Sequence, residues 1–67
     1  MAEIKRHWPE LNGKDAEEAK TELEKEEHVE RVDIKPEGHP MPLIYNPTSV
    51  WIFVDEDNKV KDIRRFA

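Results

Sequence analysis

Four of the chain's five prolines fall within thirteen consecutive residues, Pro36-Glu37-Gly38-His39-Pro40-Met41-Pro42-Leu43-Ile44-Tyr45-Asn46-Pro47-Thr48. Each proline fixes its own φ near about −65°, removes a backbone donor and pushes the residue before it toward extended backbone. No helix can run through such a stretch, and a sheet interior is a poor host for it. In a chain of 67 residues, a segment this long without regular structure is either functional or disordered. Disorder goes with low hydrophobicity, whereas the middle here is Met41, Leu43, Ile44 and Tyr45. The expectation is therefore an ordered, exposed binding loop over residues 36–48.

The rest of the chain divides around that loop. Asn12-Gly13 is a turn signal, and Asp15 with Glu18 three residues later reads as a capping box. The spacing predicts one helix from Asp15 to about Glu26, with Ala16, Ala19 and Leu23 on a narrow apolar stripe and a solvated charged face opposite. His28 follows at the helix end, where a cation suits the dipole. Val32 and Ile34 alternate with Arg31, Asp33 and Lys35 as in a half-buried strand. From Ser49 to Asp55, Val50, Ile52 and Val54 face one way and Trp51 and Phe53 the other, which predicts a central strand. Asp55-Glu56-Asp57-Asn58 is a turn, and Lys59 to about Ile63 a short charged return strand on a sheet edge. Trp8, Pro9 and Leu11 are expected to lock the N-terminal arm onto the core. The fold class is α+β, a single domain spanning residues 1–67.

Composition excludes several functions. The 16 acidic residues against 11 basic ones give a net charge of −5, the wrong sign for a nucleic-acid face. There is no cysteine, so no disulfide, thiolate metal site or cysteine nucleophile. His7, His28 and His39 share no helical spacing suited to zinc, and Asp55-Glu56-Asp57 lacks the glycine and terminal glutamate of a calcium loop. Thr48 and Ser49 have no base nearby in sequence, and Gly13 and Gly38 make no phosphate loop. No two prolines stand three apart as a PxxP ligand requires. The longest apolar run is Val50–Val54, far short of the roughly 20 residues of a membrane span. Met1–Arg6 has no apolar leader core. A cytoplasmic protein, or a secreted one whose leader has been removed, is expected, with no cofactor. A domain this small buries only about 60% of its surface and has little room for an enclosed catalytic cleft, so a binding surface is favoured over an enzyme.

The loop's chemistry suggests what it binds. Pro40 and Pro42 lack N–H groups, while Met41, Leu43 and Tyr45 keep theirs. Alternate residues of an extended chain point the same way, so one edge can still pair with another protein's backbone, as a peptide does in a protease cleft. Leu43 would fill the primary specificity pocket and Ile44 would follow the scissile bond. A stiff loop can inhibit instead of being consumed. If each of four prolines saves roughly 0.4–1 kcal/mol of ordering entropy, the total of about 2–4 kcal/mol is roughly 30- to 1,000-fold in affinity.

The blocks Trp8-Pro9-Glu10-Leu11 and Gly13-Lys14-Asp15-Ala16-Glu17-Glu18-Ala19-Lys20, the loop entry Pro36-Glu37-Gly38 and the strand Val50-Trp51-Ile52-Phe53-Val54-Asp55 together resemble the potato inhibitor I family, the eglin-like serine protease inhibitors. The spacing from Pro36 to Asp55 fits that family without a gap. The resemblance implies one helix packed on a small mixed sheet with a parallel central strand pair, and a long exposed reactive loop between those strands. It puts the reactive bond at Leu43–Ile44, within a protease-binding loop of Pro40, Met41, Pro42, Leu43, Ile44, Tyr45 and Asn46. A leucine at the primary position implies chymotrypsin-, subtilisin- or elastase-like targets; a trypsin-like pocket would want Arg or Lys.

Two departures matter. The family typically has threonine before the primary residue and an acid after it, braced by basic residues of the following strand. This chain has Pro42 and Ile44 there, and Ser49 and Trp51 where the bracing arginines usually stand. Apolar support is the expected replacement, with Trp51 packing under Pro42 or Ile44, and Arg64 or Arg65 available to reach loop carbonyls. The expected function is a monomeric, reversible, substrate-like serine protease inhibitor. The alternatives are a non-inhibitory storage or interaction protein of the same fold, or a slowly cleaved substrate.

Overall fold

The computed structural model describes residues 7–66; the Met1–Arg6 segment discussed above lies outside them. A single 3-10 turn at Pro9–Leu11 precedes helix α1 (Ala16–Glu24), followed by strands β1 (Arg31–Pro36), β2 (Asn46–Val54) and β3 (Val60–Phe66). The strands form one sheet in the order β1-β2-β3, with β1 parallel and β3 antiparallel to β2. The expected α+β class and the expected centrality of the Val50–Val54 segment are thus observed.

Helix α1 starts where its cap predicts. Asp15 is extended, and its Oδ1 accepts the Glu17 N–H at 3.0 Å, satisfying one of the helix's orphan donors. Ala16, Ala19 and Leu23 are fully buried against the sheet face that carries Val32, Val50, Ile52, Val54, Val60 and Ile63. The helix ends two residues earlier than its charge pattern suggests, at Glu24. His28 therefore does not close it. It lies in the following turn at φ 66°, and its carbonyl is held from the far strand, as described below. Trp8 and Leu11 seal the core as expected, but Pro9 is exposed and serves to start the 3-10 turn.

Both β2 and β3 run longer than their sequence patterns indicate. β2 begins at Asn46 and includes Pro47, and β3 extends through Phe66. Pro47 fits because the ladder to β3 is irregular between Asn46 and Val50, where a missing N–H breaks no regular pairing. Only residues 37–45 then remain outside the strands, a shorter loop than the 36–48 expected.

That connection is under a length constraint. Parallel pairing sets Pro36 beside Val54 and Arg31 beside Ser49, so the chain must travel from the top of β1 back to the foot of β2. Val54 lies eight residues along β2 from Asn46, which is about 26 Å at roughly 3.3 Å per residue. The ten Cα steps from Pro36 to Asn46 reach at most about 33–36 Å. Parallel strands usually have a dozen or more residues for this return; here the chain uses most of its reach, with a turn at Pro36–His39 and a bend at Leu43.

At the β2–β3 turn, Asp55 Oδ1 accepts from Asp57 N–H at 2.9 Å and Lys59 N–H at 3.0 Å, and Asn58 takes φ 62°. The Lys59 backbone bond, followed by the opposing effect of burial, the Asp57 bond and the lysines at 61 and 59, holds the Asp55 carboxyl below its ordinary 3.8. A carboxyl depressed on folding contributes stability above its unfolded value and loses it as pH falls through the folded one. Asp55→Asn, which keeps an acceptor but no charge, should be less stable than the parent above about pH 4 and equal to it in stronger acid. Urea titrations of both proteins from neutral to acid pH check this.

Candidate functional site

The two sheet faces carry different chemistry. Helix α1 covers one. The other presents Arg31, Asp33 and Lys35 of β1, Ser49, Trp51 and Phe53 of β2, and Asp62, Arg64 and Phe66 of β3. The loop lies over this second face, which makes the molecule three layers: helix, sheet, loop.

The loop leaves β1 through a tight turn. Glu37 N–H donates to the Val54 carbonyl at 2.8 Å, and His39 N–H to the Pro36 carbonyl at 3.1 Å. Gly38 sits third in that turn at φ +85°, the position that a type II turn reserves for glycine. Beyond it, Pro40, Pro42, Leu43, Ile44, Tyr45 and Asn46 are exposed and Met41 is half-buried. Among the described residues, Leu43 at 104%, Tyr45 at 77% and Ile44 at 57% are the large apolar side chains most open to solvent. Exposing three consecutive apolar side chains has no packing rationale in a domain short of core.

Trp51 stands at the centre of the underlying face. Its ring meets Phe66 edge-on at 5.0 Å and Phe53 at 6.0 Å, and the Lys35 ammonium lies 5.1 Å from its centroid. The His39 ring approaches it edge-on at 5.3 Å. Trp51, Ser49, Phe66, Ile44 and Asn46 line one shallow cleft of about 270 Å³, shared with the β1 side chains. Met41, His39, Phe53 and Arg64 line a second of about 460 Å³ on the other side of the same ring cluster. The sheet thus brings Ile44 and Asn46 together with Ser49 and Trp51, whereas Pro42 is exposed.

The two arginines separate. Arg64 Nε pairs with Asp62 Oδ2 at 2.9 Å along its own strand. Arg65 faces the helix side, 7% exposed, stacked 5.4 Å from the Trp8 ring. Its Nη1 donates to the His28 carbonyl at 2.6 Å and also to the Pro47 carbonyl. Burial draws the guanidinium below its usual value while Glu26 pushes it back up. Arg65 therefore ties the turn after α1 to the foot of β2. The sequence places His39 within the expected 36–48 loop but gives it no role there, and Phe66 has no place in the sequence-based site. The only signal for His39 is its position before Pro40; Phe66 offers none without the strand pairing. Among the described residues no three His, Asp or Glu side chains converge as a metal site.

An exposed apolar loop carried across a helix-backed sheet defines a small binding scaffold. A sequence profile of the potato inhibitor I family matches residues 1–63, and the chain belongs to that family. It is 34% identical over 62 residues to a chymotrypsin inhibitor of Lumbricus terrestris, covering 92% of this chain and 72% of that one. It is 39% identical to subtilisin inhibitor 1 of Phaseolus angularis, covering 84% of this chain and 61% of that one. Identity rises to 43% with subtilisin inhibitor CLSI-I of Canavalia lineata, covering 84% and 85%.

Hydrogen bonds from a charged donor to carbonyls contribute roughly 1.5–3 kcal/mol each, against a total stability of about 5 kcal/mol for a domain of this size. Arg65→Met should therefore lower stability by about 3 kcal/mol, read as a large drop in the urea midpoint with an unchanged slope.

Proposed function

We propose that this chain is a reversible, substrate-like serine protease inhibitor that acts as a monomer and without a cofactor, with Leu43–Ile44 as its reactive bond. One observation carries the reading. Leu43 projects fully into solvent at a bend in the short connection between two parallel strands, where a protease cleft can reach it. Membership of the potato inhibitor I family and relatives named as chymotrypsin and subtilisin inhibitors support it, and nothing in them points to an enzyme.

In this reading Leu43 enters the primary pocket, with Pro40, Met41 and Pro42 on one side and Ile44, Tyr45 and Asn46 on the other. The N–H groups of Met41, Leu43 and Tyr45 pair with the protease. Cleavage gains little because the loop does not relax: both of its ends are built into one sheet, so the leaving amine of Ile44 stays near the acyl-enzyme and reseals the bond. Trp51 supports the loop from below through Ile44. A non-inhibitory member of the same fold is the second reading. It is favoured by one observation: among the described residues, Met41–Tyr45 make no hydrogen bond to the scaffold, and Arg64 is engaged with Asp62.

Titrating subtilisin and chymotrypsin with the protein separates the two. Inhibition gives stoichiometric loss of activity with slow scission at Leu43–Ile44 by mass spectrometry. Rapid scission with undiminished protease would leave the chain a mere substrate. Leu43→Arg should redirect binding toward trypsin, and an unchanged preference would refute the assigned position.

Trp51→Ala should raise the rate of loop hydrolysis about tenfold, the equivalent of roughly 1.4 kcal/mol of lost support. Hydrolysis and inhibition both unchanged would remove Trp51 from the brace.

A further inference from the structure

We propose that His39 is a positioning residue for the loop, holding its N-terminal limb to the sheet by a clasp with two ends; the proposal rests on the inhibitor reading above. One end is a hydrogen bond. His39 Nδ1 lies 3.0 Å from the Pro40 carbonyl oxygen. A carbonyl only accepts, so Nδ1 carries the proton and the tautomer is fixed by its partner. The other end is the ring contact, edge-on to Trp51 at 5.3 Å and 72°. Trp51 is itself set against Phe66, which is buried, and against Phe53.

The limb has little else to hold it. Pro40 and Pro42 have no N–H to offer the sheet, and Met41–Tyr45 make no hydrogen bond to the scaffold among the described residues. With two donors missing and those of Met41 and Leu43 not bonded to the scaffold, the limb is held through its carbonyls or through packing. His39 uses both at once, and it stands at the point where the tight turn ends.

The whole chain can be tested by ¹⁵N relaxation at Met41 and Leu43, together with the rate at which chymotrypsin cuts Leu43–Ile44. In the parent protein both amides should be rigid, with order parameters near about 0.85. In His39→Ala they should fall toward about 0.6, and cutting should speed up about tenfold, with the thermal midpoint within a few degrees because His39 is exposed. His39→Phe, which keeps a ring on Trp51 but loses the donor, should fall between the two. In a Trp51→Leu background, His39→Ala should add less than it does alone, since the two act through one contact.

Amides in His39→Ala as ordered as in the parent would overturn the proposal. So would a His39→Phe variant indistinguishable from the parent, or effects of His39 and Trp51 that simply add. Relaxation needs no protease, so the two readings fail separately. A loop that loosens in a chain that inhibits nothing refutes the inhibitor and keeps the clasp. An inhibitor whose loop ignores His39 does the reverse.

Discussion

The site depends on the parallel pairing of β1 with β2. Antiparallel neighbours can be joined by a two-residue turn, whereas parallel ones oblige the chain to travel back along the whole strand. With residues 37–45 for that journey, the connection has too little length to form an element of its own or to fold onto itself. Its prolines suit the constraint, because their fixed φ belongs to extended backbone. Leu43 stands at a bend of that connection with its side chain wholly in solvent, while Ile44 lines the cleft beside Trp51. The exposure of Leu43 is thus a result of sheet topology as much as of local sequence.

Placing the loop and the helix on opposite faces separates two tasks. The helix face holds the apolar core, built from Ala16, Ala19, Leu23, Val50, Ile52 and Ile63. The loop face is crossed by short in-strand pairs such as Arg31 with Asp33 at 3.0 Å, and its centre is aromatic. Trp51 and Phe66 lie where they can back the loop without joining the core. A polar brace fixes geometry by direction; a ring cluster fixes it by shape. The loop's own residues match the second kind, since Pro42 and Ile44 offer no side-chain acceptor to an arginine.

Much of this was legible in the sequence because several levels agreed. Asp15 in the cap position, the Ala16-Ala19-Leu23 spacing and the two-faced Val50–Val54 run each specify an element without outside help. The prolines announce the loop. What the sequence did not disclose depends on tertiary partners. The extension of β3 to Phe66 requires β2 to pair with it. Arg65 does reach a carbonyl of the 36–48 segment, that of Pro47, as expected, but its burial on the helix side and its second carbonyl, that of His28, come from distant parts of the chain. His39 has no periodicity to mark it.

The order of elements has one more consequence. Everything before position 43 contributes the helix and β1, and everything after position 44 contributes β2 and β3. Neither portion can bury its apolar surface alone: Leu23 needs Ile52 and Ile63, and they need it. Severing the backbone at that point would leave two strangers whose best partner is each other, bound by the same interlocking that folded them as one. Covalent continuity is least necessary to this molecule at the place where it is most exposed.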